Sequence, residues 1–379
     1  MKALILGKGK SGTAAAALLK AQGCEVDFAD EYDCVVVSPG LRTKSELQLG
    51  CEELKRRGWK LLAVTGSKGK SSVVKLVADA IGGIPCGNYG RPVADLIQEK
   101  PGWAVVEVSS FQLETTTLPS DTFEAAAILN LQEDHLDRHG SVEAYHGLKR
   151  KLLSFAARNF VNEGMTSEHP SIGASEHLWT GSYFANEILA GNAAIAVELM
   201  RVAGLDDAGI AAAFKAFKPL PHRMNLVAEI NGIRYIDDSK ATSIAALIAG
   251  VKMATSIATV GVRGLETEDG RRKRRILLIA GGLPKGDDPK TALATLTERV
   301  KKVYLIGQSA EAFFAVWNGA VDCEICGTMD KAVEKAKCEA EKGETVLLSP
   351  GTASFDQFQS YGERGEVFAR LVKKEGQPK

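Results

Sequence analysis

The feature that most limits how this chain can fold is a glycine-rich turn at residues 65–72, which reads Thr-Gly-Ser-Lys-Gly-Lys-Ser-Ser. The apolar run 61–64 before it predicts a strand, and the stretch 73–81 after it predicts a helix. A strand, a glycine turn and a helix in this order direct backbone N–H groups toward phosphate oxygens. Lys70 would then reach the terminal phosphates of a nucleotide, and the Ser71 hydroxyl would ligate Mg²⁺.

The size and charge of the chain exclude several other classes of protein. A length of 379 residues predicts two or three domains, each with its own core. The chain has 47 lysine and arginine residues in total and 47 aspartate and glutamate residues in total. Its net charge is therefore zero, and no net field attracts nucleic acid or an anionic membrane. No apolar stretch approaches the length of a membrane span. The basic run 271–275 ends a segment, 261–275, that is predicted to be a solvated loop.

The seven cysteines are dispersed along the chain, which predicts reduced thiols and a cytoplasmic location. Only Cys323 and Cys326 stand close together, and they lack a second pair of ligands. Zinc binding is therefore disfavoured, and the pair is predicted to lie near the end of a strand.

The N-terminal segment has the form of a dinucleotide-binding fingerprint. Gly7-x-Gly9-x-x-Gly12 opens an alanine-rich helix, with predicted strands at 2–6, 24–28 and 34–37. The unit spans only the first sixty residues or so, about half a full dinucleotide fold. It therefore favours a mononucleotide or UDP-diphosphate site, and NAD stays open as an alternative.

Strands alternating with helices along the rest of the chain predict an α/β protein with parallel sheets covered on both faces. Strands are predicted at 103–108 and 125–131, and further strands near 234–236, 276–280, 302–306 and 345–348. The predicted domains are a shortened Rossmann-like domain (1–58), a central phosphate-loop domain (59–219) and a C-terminal Rossmann-like domain (220–379).

Three further positions suggest metal chemistry near the phosphate loop. Glu107 ends an apolar strand, where ligands bind in parallel sheets, and could share a Mg²⁺ with Ser71. His135 lies among carboxylates after another strand and offers an imidazole to a second cation. Tyr145 and Lys149 are four residues apart on a predicted helix and share one face. A lysine beside two cations must be neutral or modified.

Eight short motifs follow one another along the chain: TGSKGKSS, GNYG, EVSSFQLE, ILNLQEDHLDRH, YHGLK, LPHR, IDDSKATS and LLSPGTASFDQF. Each motif alone is weak, but the ordered set closely resembles the Mur ligases. EVSSFQLE, LPHR and SPGTASFDQF are most similar to the member of that family that adds D-glutamate.

The resemblance implies a fold of three domains, which bind UDP, bind ATP and swing to close the site. It implies that ATP phosphorylates the carboxylate of UDP-N-acetylmuramoyl-L-alanine, and that the amine of D-glutamate attacks the acyl phosphate. It further implies two Mg²⁺ ions. The expected partners are these small-molecule substrates, with no nucleic acid and no membrane, and the chain is expected to act as a monomer.

Carried over position by position, the resemblance also implies the site residues. The catalytic residues would be Lys70, Glu107, His135 and Lys149. ATP would contact Gly66, Ser67, Lys68, Gly69, Lys70, Ser71, Ser72, Asn192, Arg223, Asp238 and Lys240. Magnesium would be held by Ser71, Glu107, His135 and a carbamylated Lys149. The UDP substrate would contact Lys10, Ser11, Asp30, Ser38 and Asn88, and D-glutamate would contact Thr242, Lys285, Ser354, Phe355 and Tyr361.

The chain departs from the family pattern in two places. The first domain is short, and Leu189 stands where the family often has the first of two asparagines near adenine, whereas Asn192 fits the second. Helix capping by Asp238 or Ser354 is the simpler alternative role for those two residues. The alternative functions are a related ligase that adds a different amino acid, an NAD-dependent oxidoreductase, and a nucleotide-binding regulatory protein.

Overall fold

The computed structural model describes residues 2–29, 44–132, 136–162, 176–180, 182–185, 189–259 and 275–374. The chain divides into two compact units, Met1–Phe217 and Lys218–Lys379. The division into three domains, with a separate domain over 1–58, stays a prediction. The predicted strand at 34–37 and the predicted loop at 261–275 lie outside the described residues, apart from Arg275.

The first unit contains two parallel sheets. Its strands are β1 Lys2–Leu6, β2 Glu25–Ala29, β3 Lys60–Thr65, β4 Ile84–Gly87, β5 Trp103–Glu107, β6 Ala125–Ile128 and β7 Asn159–Val161. Strands β1 and β2 pair with each other, and the other five form a sheet in the order β4-β5-β3-β6-β7. Every pairing in the five-stranded sheet is parallel, so the carboxyl ends of its strands share one edge.

Helices connect these strands. They are α1 Lys10–Ala21, α2 Glu46–Arg56, α3 Lys70–Ile81, α4 Ser110–Thr115, α5 Leu136–His139, α6 Val142–Lys151, α7 Ala190–Val202 and α8 Asp207–Ala216. Short 3₁₀ turns lie at Val93–Gln98, Leu152–Phe155 and Glu176–Leu178.

The second unit is built on one six-stranded sheet. Its strands are β8 Asn225–Ile230, β9 Ile233–Asp237, β10 Ile276–Gly281, β11 Val300–Ile306, β12 Asp322–Gly327 and β13 Thr345–Leu348. They run in the order β12-β11-β10-β13-β9-β8, and only the pairing of β8 with β9 is antiparallel. The helices are α9 Ile244–Thr259, α10 Leu293–Arg299, α11 Ala310–Trp317, α12 Met329–Glu339 and α13 Tyr361–Lys373, with a 3₁₀ turn at Pro289–Ala292.

The central strands are buried on both faces, which explains their nearly continuous apolar sequences. All four residues of β6 and all six of β10 are buried. Leu18 of α1 and Leu54 of α2 belong to the same apolar cluster as Leu61 of β3, so these helices pack onto the five-stranded sheet. The parallel sheets confirm the predicted α/β class. Among the described helices, none has both the length and the apolar character needed to cross a bilayer.

Two predicted boundaries were wrong, and both errors concern the phosphate loop. The helix predicted from residue 73 begins at Lys70, so the first helical turn includes the lysine and both serines of the loop. The strand predicted over 125–131 ends at Ile128. Beyond it, Asn130 and Gln132 turn away from the sheet and form hydrogen bonds with the loop.

Candidate active site

The phosphate loop connects β3 to α3, and two of its glycines are required by geometry. Gly66 and Gly69 have φ angles of 149° and 84°, in the range where side chains are strained. A Cβ on Gly69 would stand 2.1 Å from Nδ2 of Asn192 on α7. Helix α3 starts at Lys70, within the loop, and the N–H groups of its first turn have no partner within the helix and can bind anionic oxygens.

Asn130 holds the phosphate loop in place, a role that the sequence analysis did not assign. Its Oδ1 accepts a hydrogen bond from the Lys68 N–H at 2.8 Å, and its Nδ2 donates to the Lys68 carbonyl at 2.9 Å. Its carbonyl also accepts from the Ser67 N–H at 3.0 Å. The same Nδ2 lies 3.3 Å from Oδ1 of Asn192, which is 3% exposed. Asn130 therefore fixes the loop through hydrogen bonds, and Asn192 in turn holds the Asn130 side chain.

The hydroxyl of Ser67 takes part in this support. It donates to the Gln132 carbonyl at 2.9 Å and accepts from the Gln132 N–H at 3.0 Å. The hydroxyl of Tyr145 lies 3.3 Å away. The Ser67 hydroxyl is therefore hydrogen-bonded to other groups of the protein.

Two lysines converge on one carbonyl of the loop. Nζ of Lys70 donates to the Gly66 carbonyl at 2.8 Å and to the Ser67 carbonyl at 3.2 Å. Nζ of Lys149 donates to the same Gly66 oxygen at 3.1 Å and lies 4.4 Å from the centre of the Tyr145 ring. Lys149 is only 1% exposed. The spacing of Tyr145 and Lys149 thus places both on the buried face of α6, as predicted.

Glu107 is the buried carboxylate of the site. It ends β5, is 2% exposed, and accepts a hydrogen bond from Nδ2 of Asn88 at 2.8 Å on Oε1. Its other oxygen, Oε2, has no hydrogen-bond partner among the described residues. Leaving a buried carboxylate oxygen unsatisfied costs about 1–3 kcal/mol or more. Such an oxygen is suited to bind a divalent cation.

A cavity of about 120 Å³ lies beside the phosphate loop, and Glu107 is not among the residues that line it. The cavity is lined by Ser67, Lys70, Asn88, Ser109, Ser110, Phe111, Tyr145 and Lys149. Of the residues predicted for catalysis, His135 lies outside the described residues. Across the described part of the chain, no cluster of histidine, cysteine, aspartate and glutamate has the form of a complete metal site.

The structure describes only some of the residues that are predicted to contact the UDP group. Lys10 and Ser11 are exposed at the start of α1 and do not line the cavity. Asp30 and Ser38 lie outside the described residues. The fingerprint does form a strand, a tight turn and a helix. A Cβ on Gly12 would stand 2.1 Å from the Gly7 carbonyl oxygen, so this close approach requires glycine at position 12.

In the second unit, the predicted residues lie on loops after β9, β10 and β13, which are neighbours in the sheet. Thr242 follows β9, Lys285 follows β10, and Ser354 and Phe355 follow β13. The loops are tied by paired backbone hydrogen bonds between Leu283 and Ala353, at 3.0 and 3.1 Å. Ser354 is buried, and Phe355 is 68% exposed.

Arg364 of α13 joins two of these loops. It is fully buried, and its guanidinium donates to the Ser239 hydroxyl and carbonyl at 2.9 Å each. It also donates to the carbonyls of Thr352 and Ala353 at 3.1 Å each. Burial lowers the pKa of Arg364 to about 10, so it stays charged at neutral pH. One cation therefore holds the loop of Asp238 and Lys240 against the loop of Ser354.

Two further predicted residues lie close to this network. Nζ of Lys240 stands 3.8 Å from the centre of the Tyr361 ring, a cation–π contact. Arg223 is flanked by His222 and Met224, whose φ angles of 60° and 52° are unusual for residues other than glycine. Strain of this kind costs about 1–3 kcal/mol and is common at functional sites.

Asp238 is a buried acid of the second unit. It accepts a hydrogen bond from the Ser349 hydroxyl at 2.9 Å, and a Cβ on Gly250 would stand 2.5 Å from its Oδ2. Burial raises the pKa of Asp238 from 3.8 to about 7, against smaller opposing effects of Ser349 and Arg223. The carboxyl is therefore partly protonated near neutral pH.

This raised pKa predicts a pH-dependent stability that Asp238→Asn removes. The folded chain binds the proton more tightly than the unfolded chain, so this group stabilises the fold fully below pH 3.8 and loses that effect as pH rises to about 7. Between pH 3.8 and about 7, each unit of rising pH lowers the free energy of unfolding by up to about 1.4 kcal/mol through this group. Urea denaturation of both proteins from pH 4.5 to 7.5 measures the difference. Parallel pH profiles for the two proteins would contradict the prediction.

The two close cysteines lie on a strand, as predicted. Cys323 and Cys326 belong to β12, are buried, and are free thiols. Burial raises the pKa of Cys323 to about 11, so it is not a reactive thiolate at neutral pH.

Comparison with known proteins defines the family. Sequence profiles of the Mur ligase middle domain and of the Mur ligase, glutamate ligase domain match residues 88–166 and 222–351. A relative from Francisella philomiragia, a UDP-N-acetylmuramoylalanine–D-glutamate ligase, is 33% identical and aligns over 90% of this chain and 86% of its own. A protein of the same name from Acidobacterium capsulatum is 31% identical over 98% of this chain and 96% of its own.

Solved structures share the fold at lower identity. MurF from Acinetobacter baumannii has a TM-score of 0.62 at 15% identity, covering 98% of this chain and 90% of that chain. MurF from Thermotoga maritima, solved in complex with ADP, has a TM-score of 0.61 at 14% identity, covering 98% and 94%. The chain belongs to the Mur ligase family. Its activity is that of an ATP-dependent ligase in peptidoglycan precursor synthesis, and the oxidoreductase alternative is not favoured.

Proposed function

We propose that this ligase joins D-glutamate to UDP-N-acetylmuramoyl-L-alanine at the expense of ATP. The observation that carries the proposal is the similarity, over at least 90% of this chain, to two ligases named for that reaction. The structure supports a phosphate-transfer site, because the phosphate loop, Lys70 and Asn88 border one cavity.

In the proposed reaction, the residues of the loop bind and orient the phosphates of ATP. The N–H groups at the start of α3 and the amino group of Lys70 face anionic oxygens, and Asn130 keeps the loop in that shape. A carboxylate is a poor electrophile, and its phosphorylation supplies a leaving group for attack by the amine. Lys70 would balance the negative charge that develops on the transferred phosphoryl group.

The described residues fit a bound Mg²⁺. Oε2 of Glu107 is buried without a hydrogen-bond partner among the described residues, and carboxylate oxygen is a preferred ligand of this ion. We propose that Glu107 and Ser71 hold one ion, and that His135 and carbamylated Lys149 support a second. Bound magnesium would neutralise phosphate charge and so favour phosphoryl transfer.

In the second unit, we propose that Arg223, Asp238 and Lys240 contact ATP. D-Glutamate would contact Thr242, Lys285, Ser354, Phe355 and Tyr361. The support is that all of these residues except Arg223 and Tyr361 lie on loops at the carboxyl ends of neighbouring parallel strands, where ligands of α/β proteins bind. The free cysteines of the described residues agree with a cytoplasmic location.

The test is release of phosphate in mixtures that omit one component at a time. Phosphate is expected only when ATP, Mg²⁺, UDP-N-acetylmuramoyl-L-alanine and D-glutamate are all present. A panel of D- and L-amino acids then measures selectivity by kcat/KM. Equal turnover with L-alanine or meso-diaminopimelate would refute the assignment of D-glutamate and leave the family unchanged.

A further inference from the structure

Ser110 is a cavity residue to which the reaction described above gives no role. It is the first residue of α4, is 2% exposed, and lines the cavity together with Lys70 and Asn88. Its hydroxyl lies 3.0 Å from Nε2 of His139, at the end of α5. Within the described part of the chain, His139 is therefore the hydrogen-bond partner of the serine hydroxyl, which also borders the cavity.

The other ring nitrogen of His139 faces a carboxylate. Nδ1 lies 3.2 Å from Oε1 of Glu114. Arg138 binds that carboxylate through both of its oxygens, at 3.3 and 2.8 Å. The Arg138 guanidinium holds the pKa of Glu114 below its usual range, so the carboxylate is ionised at neutral pH. A negative charge beside Nδ1 favours a proton on that nitrogen.

This placement of charge fixes the direction of the next hydrogen bond. A neutral imidazole has one N–H, and with that proton on Nδ1 the lone pair is on Nε2. Ser110 must then donate its hydroxyl proton to His139. The remaining lone pairs of the serine oxygen accept hydrogen bonds from other groups.

Aromatic packing holds the imidazole in this orientation. The ring centres of Phe111 and Tyr145 each lie 5.4 Å from that of His139, and the histidine side chain is 2% exposed. Phe111 and Tyr145 also line the cavity, so the imidazole packs against residues that form the cavity wall.

We propose that His139 is a positioning residue which, with Glu114, commits the Ser110 hydroxyl to act as a hydrogen-bond acceptor in the cavity. The chemical group it would bind is an N–H donor of the acceptor substrate. The choice of donor rests on the proposed function. In UDP-N-acetylmuramoyl-L-alanine the reacting carboxylate can only accept hydrogen bonds, and the neighbouring alanyl amide supplies the N–H.

The first experiment needs no substrate. Nitrogen-15 NMR of the histidine side chains at pH 8, assigned by comparison with His139→Phe, reports which ring nitrogen carries the proton. The Nδ1–H tautomer is expected for His139 in the free protein. The Nε2–H tautomer or a doubly protonated ring would overturn the proposal, whatever substrate the enzyme uses.

The second experiment measures steady-state kinetics of Ser110→Ala, His139→Phe and the double variant. Each single variant is expected to raise KM for the acceptor substrate about tenfold, the effect of about 1.4 kcal/mol of lost binding, with KM for ATP unchanged. Because both changes disrupt one hydrogen-bonded unit, the double variant should resemble the Ser110 variant. The proposal would be overturned if the double variant raised KM for the acceptor by the product of the two single effects. It would also be overturned if KM for ATP rose equally, or if KM for the acceptor did not change.

An acceptor substrate methylated at the alanyl amide nitrogen tests the donor itself. The parent enzyme should prefer the unmodified substrate, and Ser110→Ala should lose about tenfold of that preference. An undiminished preference in Ser110→Ala would overturn the role of the amide. If the parent enzyme does not use this acceptor at all, the proposed function fails, and the tautomer measurement still decides the role of His139.

His146 offers a matched control. Its ring also packs on Tyr145, with ring centres 5.8 Å apart, but its Nε2 has no hydrogen-bond partner among the described residues. His146→Phe is expected to keep KM for the acceptor within about twofold of the parent. Circular dichroism and thermal unfolding of all variants identify any that lose the fold. A tenfold rise in KM for a folded His146→Phe would show that general packing, rather than positioning of Ser110, causes the effect.

Discussion

Replacement of Lys70 by alanine is expected to lower turnover by about 10³-fold or more while the protein stays folded. The amino group of Lys70 borders the cavity and is held by the carbonyls of Gly66 and Ser67. A cation in this position opposes negative charge most strongly when charge moves between phosphoryl and carboxylate oxygens. The loss should therefore fall mainly on kcat, measured as phosphate release at saturating substrates.

Lys75 provides the control for this experiment. It lies on the same helix, and its amino group pairs with Asp79 one turn further along. Lys75→Ala removes the same charge from α3 and should keep near-normal turnover. A Lys70→Ala protein with a rate close to that of the parent would show that the loop does not serve catalysis.

Replacement of Lys149 by alanine is expected to lower turnover by about 10- to 100-fold, the loss that is typical when support for a bound metal is removed. The amino groups of Lys149 and Lys70 donate to one carbonyl oxygen, and Lys149 is 1% exposed. Two ammonium groups this close repel each other strongly where water is excluded. A carbamate on Lys149 would turn that repulsion into attraction and supply an anion toward Mg²⁺.

Chemical rescue distinguishes a carbamate from a plain lysine. Formate or acetate should partly restore the activity of Lys149→Ala, because a small carboxylate can occupy the place of the carbamate. The same acids should leave Lys70→Ala inactive, which serves as the control. Lys149→Arg should be inactive and should not be rescued, since it keeps its positive charge and fills the space. A Lys149→Arg enzyme as active as the parent would contradict carbamylation.

The candidate site residues could be predicted from the sequence because their signals are local. The phosphate loop, Glu107 and the spacing of Tyr145 and Lys149 are each defined by a short stretch next to a strand or within one helix. The structure places Lys70, Tyr145 and Lys149 around one cavity.

The supporting residues could not be found in this way. Asn130 and Asn192 are 62 residues apart, and Arg364 lies 125 residues from Ser239. Their roles depend on contacts that only the folded chain brings together. Strand β4 was not predicted because Pro85 and Gly87 interrupt the strand pattern. The fold tolerates proline and glycine there because β4 lies at the edge of its sheet.

The buried guanidinium of Arg364 also has a consequence for motion. Because it bonds Ser239 on one side and Thr352 and Ala353 on the other, opening either loop leaves part of a buried guanidinium without its hydrogen bonds. The two loops therefore form one cooperative unit of local unfolding. In native-state hydrogen exchange, the amides of Asp238 and Ala353, which both donate within the fold, should open with a single shared free energy. A sequence change that loosens one loop would thereby loosen the other, and evolution would have to tune the two loops together.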